Sequence, residues 1–166
     1  MYPPPEQQIK TAQILTSRGC HFSCTFCASA NMFGRKVFYR SPDNVIEEIE
    51  CLQKTMGTNT LCFSDLNFAL NKKYLRELCN RLKCLKPMIS WMAECHLKNL
   101  DEESIVLMAE AGCKKIAIGV ERLDDYSLQK AKPSAAGLKD HLKKLLNLLD
   151  QAGIITRAFL LLGFPW

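Results

Sequence analysis

Gly153-Ile154-Ile155-Thr156-Arg157-Ala158-Phe159-Leu160-Leu161-Leu162-Gly163-Phe164-Pro165 is the stretch on which the fold turns. Residues 155–162 are too apolar for one wet face, so they read as a strand covered on both sides. Before them Leu138, Leu142, Leu145 and Leu149 repeat at three and four, the stripe of a helix that ends near Gly153. The same helix-then-strand unit recurs toward the N-terminus. Asp101 caps a helix with Ile105, Met108 and Ala111 inward, stopped at Gly112 and followed by a strand over residues 115–120. Asn71 opens another, with Leu75, Leu78, Leu82 and Leu85 on one face, before a strand over 88–93. Ser41-Pro42-Asp43 starts a helix with Val45, Ile46, Ile49 and Leu52 aligned, before a strand over 60–63. Residues 12–17 form the first strand.

Five strands joined by four helical crossovers predict an α/β fold with a parallel sheet. No glycine-rich dinucleotide fingerprint follows the first strand, and a curved, barrel-like sheet is favoured over a doubly wound one. Pro3, Pro4 and Pro5 make residues 1–8 a linker or tail, leaving 9–166 as one core domain. The chain stops after its fifth strand with no helix to cover it, so the domain is expected to be C-terminally incomplete and poorly soluble or inactive alone.

The 166 residues are 48% hydrophobic and 23% charged, ordinary for a globular domain. A formal charge of +5 is mild, and the densest basic group, Lys139, Lys143 and Lys144, reads as the solvated face of one helix rather than a nucleic-acid site. No signal peptide and no apolar run of membrane-spanning length is present, which predicts a cytoplasmic protein. In that reducing compartment nine cysteines read as metal ligands plus small buried hydrophobes.

The chemistry concentrates in Cys20-His21-Phe22-Ser23-Cys24-Thr25-Phe26-Cys27, spaced C-x3-C-x2-C on a loop at a strand's end. Three thiolates this close can wrap one face of a cubane iron–sulfur cluster and leave one iron open to a small molecule. Zinc is the competing reading, although structural zinc asks for four ligands and His21 adjoins Cys20 too closely to share its ion. Three buried cysteines that bind nothing are the blander alternative, against which stands the polar setting of Gly19 and Ser23. Cys51, Cys62, Cys79, Cys84, Cys95 and Cys113 are scattered over other elements and read as structural; Cys84 or Cys95 could serve a second cluster only without a tight triplet to help.

This loop, with an aromatic residue before its third cysteine, resembles the radical SAM superfamily. Thr16-Ser17-Arg18-Gly19-Cys20, Arg40-Ser41-Pro42, Trp91, Leu100-Asp101-Glu102-Glu103, Ala111-Gly112-Cys113, Gly119-Val120-Glu121, Ala152-Gly153-Ile154 and Leu162-Gly163-Phe164-Pro165 are similar to the branch whose members often carry an N-terminal cobalamin-binding domain. The resemblance implies a partial TIM-like (β/α)6 barrel with its active site at the strands' C-terminal ends. It implies a [4Fe–4S] cluster on Cys20, Cys24 and Cys27 that binds S-adenosylmethionine at its free iron and cleaves it reductively to a 5′-deoxyadenosyl radical. Cobalamin would be bound by a domain outside this chain, with methyl transfer or cyclisation as the outcome. A reductant such as flavodoxin or ferredoxin and an unidentified small-molecule substrate are the implied partners.

By the same resemblance Phe26 sits against the adenine, with loop packing as the alternative. The branch's Asp-Asp-x-Phe motif, which holds the methionine amino group, is met by Asp65-Leu66-Asn67-Phe68, with Leu66 in place of the second acid. Asp65 and Asn67 are therefore cofactor candidates, or caps of the following helix. Glu121 and Arg122 replace the branch's Glu-Ser; Glu121 is expected to touch the cofactor, and Arg122 to pair with its carboxylate or with a surface acid. Arg157 points into the barrel or lies on an exposed edge. Glu94 and His96 are candidate substrate contacts. A non-enzymatic iron–sulfur electron carrier and a zinc-stabilised interaction module remain the rival functions.

Overall fold

The computed structural model describes residues 10–122, 124–132 and 139–163. The expected tail over 1–8, Leu138 of the helical stripe, the side chain of Lys139 and the closing Phe164-Pro165 lie outside the described residues.

Five parallel strands form one sheet: β1 (Thr11–Ile14), β4 (Thr60–Phe63), β5 (Ser90–Cys95), β6 (Cys113–Glu121) and β7 (Ile155–Leu160), side by side in that order. Strand order follows chain order, as a sheet wound in one direction into a partial barrel requires. The crossovers carry α2 (Pro42–Met56), α3 (Lys72–Leu82), α4 (Glu102–Glu110) and α6 (Lys139–Gln151). Three of these start where local chemistry sets them. Ser41, Asn71 and Asp101 each accept a backbone N–H three residues on, and Pro42 occupies the first turn of α2.

The first strand is shorter than expected. It stops at Ile14 because the chain turns at Leu15 and Thr16 and pairs again as β2 (Ser17–Arg18), antiparallel to β3 (Phe38–Tyr39). Two short helices, α1 (Ser29–Phe33) and α5 (Asp125–Ala131), and a 3-10 turn at Leu97–Asn99 were not expected, since none is long enough to show a period.

Side-chain parity along the inner strands separates core from site. Trp91 and Ala93 of β5 and Ile116, Ile118 and Val120 of β6 turn to the helices and are buried. Ala117, Gly119 and Glu121 turn to the barrel interior. The Trp91 ring meets Phe63 and Phe68, and its indole N–H donates to the Ala111 carbonyl at 2.8 Å. Leu75, Leu78 and Leu82 of α3 are fully buried beneath it; truncating one to Ala would cost about 2–5 kcal/mol. No helix among the described residues is long and apolar enough to cross a membrane.

Candidate functional site

The C-terminal ends of the strands converge on a pocket of about 210 Å³. The loop after β1 brings Cys20, Cys24 and Cys27 to its wall, and Phe26 sits beside them. Glu94 and His96 reach it from the end of β5, Gly119 and Glu121 from the end of β6, and Phe159 from β7. Parallel strands deliver these groups to one end because every crossover returns the chain to the same side.

The cysteine loop is held from both sides. Asp65, 1% exposed, accepts from the Thr16 backbone N–H at 3.0 Å, from the Thr16 hydroxyl at 2.7 Å and from the Ser17 hydroxyl. That carboxylate fixes the corner from which the loop departs. On the far side Thr25 N–H donates to the Ala131 carbonyl at 2.9 Å, tying the loop to the end of α5. The residue after Ala131 is Lys132, which sequence reasoning missed and which is 3% exposed in the pocket wall.

Lys132 Nζ donates to the Gly119 carbonyl at 2.7 Å and lies 3.5 Å from Glu121 Oε1. Gly119 leaves room for this pair: a Cβ there would meet Glu121 Oε1 at 2.3 Å and Lys132 Nζ at 2.9 Å. Glu121 adopts φ 65°, unusual for a residue with a side chain, where the β6–β7 register shifts. A buried ion pair at a cavity wall, on strained backbone, is an arrangement found more often at functional sites than in scaffolding.

The His96 ring stacks on Phe22 with centroids 4.0 Å apart, and its Nδ1 accepts from the Lys98 N–H at 3.1 Å. Burial, with Lys132, Lys98 and His21 adding to it, holds His96 down to about 3, so the ring is neutral at ordinary pH. Burial pushes the Cys24 thiol up, opposed by the charge of Lys132. Cys95 also touches the pocket, but burial drives its thiol to about 12, so it lacks the thiolate character of a ready ligand. Cys79 and Cys113 are buried and likewise pushed up by burial.

The other expected contacts fall elsewhere. Asp65 and Asn67 are absent from the pocket wall, and neither caps α3, which Asn71 does. Asn67 is buried, donating to Asn99 Oδ1 at 2.8 Å and accepting from the His96 N–H at 3.0 Å, so it fixes the end of β5. Leu66, between them, lines the pocket instead. Arg122 pairs with Asp124 at 2.8 Å outside the cavity. Arg157 is exposed on β7, opposite Ala117 and two residues before Phe159, so it shares the inner strand face below the pocket.

Among the described residues no three His, Cys, Asp or Glu side chains are gathered as a single ion requires. A cubane cluster asks for a different arrangement, because each thiolate caps a different iron around a shared cavity. Three cysteines spread around one pocket, and not gathered on a single point among the described residues, fit that demand better than they fit zinc.

A parallel α/β partial barrel with three cysteines at its strand ends defines a class of metal-dependent enzyme. The sequence profile of the Radical SAM superfamily matches residues 14–165, and the chain belongs to that superfamily. The cytidylyl-2-hydroxyethylphosphonate methyltransferase of Streptomyces wedmorensis is 28% identical over 165 residues, covering 94% of this chain and 29% of the relative. An uncharacterized methyltransferase of Pyrococcus horikoshii is 36% identical over 108 residues, 65% of this chain and 24% of the relative. Among solved structures, the radical S-adenosylmethionine methyltransferase TsrM of Kitasatospora setae, with tryptophan and a SAM analogue bound, superposes with a TM-score of 0.82. Its identity is 25%, over 94% of this chain and 31% of that one. The chain thus spans 24–31% of the length of these proteins.

Proposed function

We propose that this chain binds a [4Fe–4S] cluster through Cys20, Cys24 and Cys27 and serves, within a longer protein, reductive cleavage of S-adenosylmethionine. The observation that carries this reading is the placement of all three cysteines on one strand-end pocket. When bound, the cluster supplies the electron that breaks a sulfur–carbon bond of S-adenosylmethionine. The chain's residues do the rest. Asp65 and the Thr25–Ala131 hydrogen bond hold the loop still. Phe26 offers an apolar face at the mouth, and Leu66 and Phe159 help keep water from a reactive species. Glu121 and Lys132 present one acid and one cation to a zwitterionic ligand. Neutral His96 and exposed Glu94 stand where a substrate would approach.

The names of the relatives favour methyl transfer, and the cobalamin bound in a TsrM structure of Kitasatospora setae favours cobalamin here too, held by a domain outside this chain. The substrate is a small molecule, the reductant a flavodoxin- or ferredoxin-class carrier, and the compartment the cytoplasm, where nine free cysteines stay reduced. The test is anaerobic reconstitution of the longer protein that contains this chain, reduction and addition of S-adenosylmethionine, followed by assay for 5′-deoxyadenosine. A brown protein that gives the product and a changed cluster spectrum is expected. A colourless protein sinks the cluster; a brown one giving neither product nor spectral change is an electron carrier.

A further inference from the structure

Read along the whole chain the positive charge looks mild and scattered, but it is not. Residues 10–42 contain five of the 22 Lys and Arg and none of the 17 Asp and Glu, so this stretch alone accounts for the formal +5. It is the stretch that contains the cysteine loop. Lys10 lies beside Asn59 at the start of β1, and Arg40 is taken up by Glu48, Asn44 and the Leu15 carbonyl. Arg18, Arg35 and Lys36 are exposed and have no salt-bridge partner among the described residues.

The fold sets Arg18 and Lys36 against the loop, and Arg35 precedes Lys36 in the chain. Arg18 lies opposite Phe38 in the β2–β3 pair, and Lys36 Nζ sits 5.1 Å from the Phe38 ring centroid. Gly19, the neighbour of Cys20, runs at φ +105° so close to Lys36 that a Cβ would lie 2.2 Å from its carbonyl oxygen. On the other flank Ser29 Oγ is 3.1 Å from Cys27 Sγ and begins α1, which exposes Met32 (70%) and Phe33. Phe38 is also exposed. Cations and bare apolar side chains therefore border the loop on both flanks, next to a groove of about 260 Å³ between β2 and β3.

We propose that Arg18, Arg35 and Lys36, with Phe33 and Phe38, form the docking surface for an acidic one-electron carrier protein bearing a flavin or an iron–sulfur centre. This rests on the function proposed above. The carrier is oxidised by one electron and a cluster on Cys20, Cys24 and Cys27 is reduced by one, with no bond made or broken between the proteins. Electron tunnelling weakens steeply with distance, so the donor gains by docking where the cysteine loop meets the surface. The cations steer an acidic partner there, and the apolar residues give it contact area. Three cations beside bare methionine and phenylalanine suit a protein face better than a phosphate backbone, which calls for a longer basic track.

The test uses the reconstituted longer protein that contains this chain and its Arg35→Glu/Lys36→Glu variant, with Lys143→Glu/Lys144→Glu on α6 making the same charge change elsewhere. Bleaching of the cluster is timed by stopped flow with dithionite and with reduced flavodoxin. With flavodoxin at low salt the loop-side variant should reduce about 10-fold or more slowly than the parent, and the gap should close near 0.5 M salt, roughly where screening is strong. The α6 variant should stay within about two-fold of the parent, and dithionite should reduce all three alike. Equal flavodoxin rates in parent and loop-side variant, or equal slowing in both variants, overturn the docking face alone. So does a single-stranded RNA probe that binds the parent and not the loop-side variant while flavodoxin rates are unchanged. A parent that dithionite cannot bleach overturns the cluster reading, and this inference with it.

Discussion

After β4 the chain buries Asp65 and brings Leu66 to the pocket; at the end of β6 it brings Gly119 and Glu121 there. Asp65 turns back into the scaffold and gives its carboxylate to Thr16 and Ser17, while Leu66 faces the cavity. At β6 the order is reversed: glycine contributes space, and Glu121 turns in to meet Lys132. Two acids at matching strand ends thus do opposite jobs, one holding the cysteine loop and one facing the pocket. What separates them is a one-residue step in side-chain parity, together with the positive φ that swings Glu121 inward.

Removing what both ends serve gives the largest effect. Cys24→Ala should abolish the iron–sulfur absorbance and leave no detectable 5′-deoxyadenosine while the chain stays folded, as circular dichroism would show. A cluster that survives would mean the loop is not its seat, and the contrast would lose its meaning. Next comes Asp65→Ala, which strands the Thr16 N–H and both hydroxyls. We expect a loss of about 3–5 kcal/mol in denaturant unfolding and lower iron content per chain. Affinity for S-adenosylmethionine per bound cluster should not change. A weakened affinity with normal stability would place Asp65 at the ligand after all.

Glu121→Gln should show the opposite profile. Lys132 keeps the Gly119 carbonyl and the substituted amide oxygen can still accept from it, so iron content should stay near the parent's. The buried cation left without its counter-charge costs some stability, less than the Asp65 variant loses. Binding of S-adenosylmethionine should become about 10-fold weaker, near 1.4 kcal/mol, as measured by titration of the reconstituted protein. Lys132→Met is the complementary probe. It leaves Glu121 buried without its partner, so it should cost stability as well, about 3 kcal/mol. A Glu121→Gln variant that unfolds easily yet binds normally would make both acids structural.

How much of this could be read from the chain alone follows from how local each cause is. Ser41, Asn71 and Asp101 cap their helices through groups three residues away, and each was legible. The parallel sheet of five strands followed from the apolar runs and their crossovers. The cysteine triplet was legible because its ligands lie within eight residues. Lys132 was not, since its role depends on a seven-residue helix bringing it against Gly119 across the barrel mouth. The available signal was Asp124, which caps α5 by accepting from Ser127 N–H, with Lys132 directly after the helix ends. The facing of Asp65 was hidden for the same reason: its partners are 48 and 49 residues away.

The smallest expected effect tests the contrast from its empty side. Leu66 stands where the resembling motif has a second acid, and it is the residue there that faces the pocket, 41% exposed. If this end of the cavity receives the ammonium of S-adenosylmethionine, Leu66→Asp adds an opposite charge beside it. In a partly solvated setting that gain is under about 1 kcal/mol, or up to roughly five-fold in affinity. Stability should barely move, because the leucine leaves little buried surface behind. The gain should shrink at high salt, as a half-exposed ion pair does and an apolar effect does not. Unchanged or weaker binding at constant stability would move the ammonium away from β4. Glu121 would then be the sole acid of the two strand ends in contact with the ligand, and β4 would serve only to hold the loop.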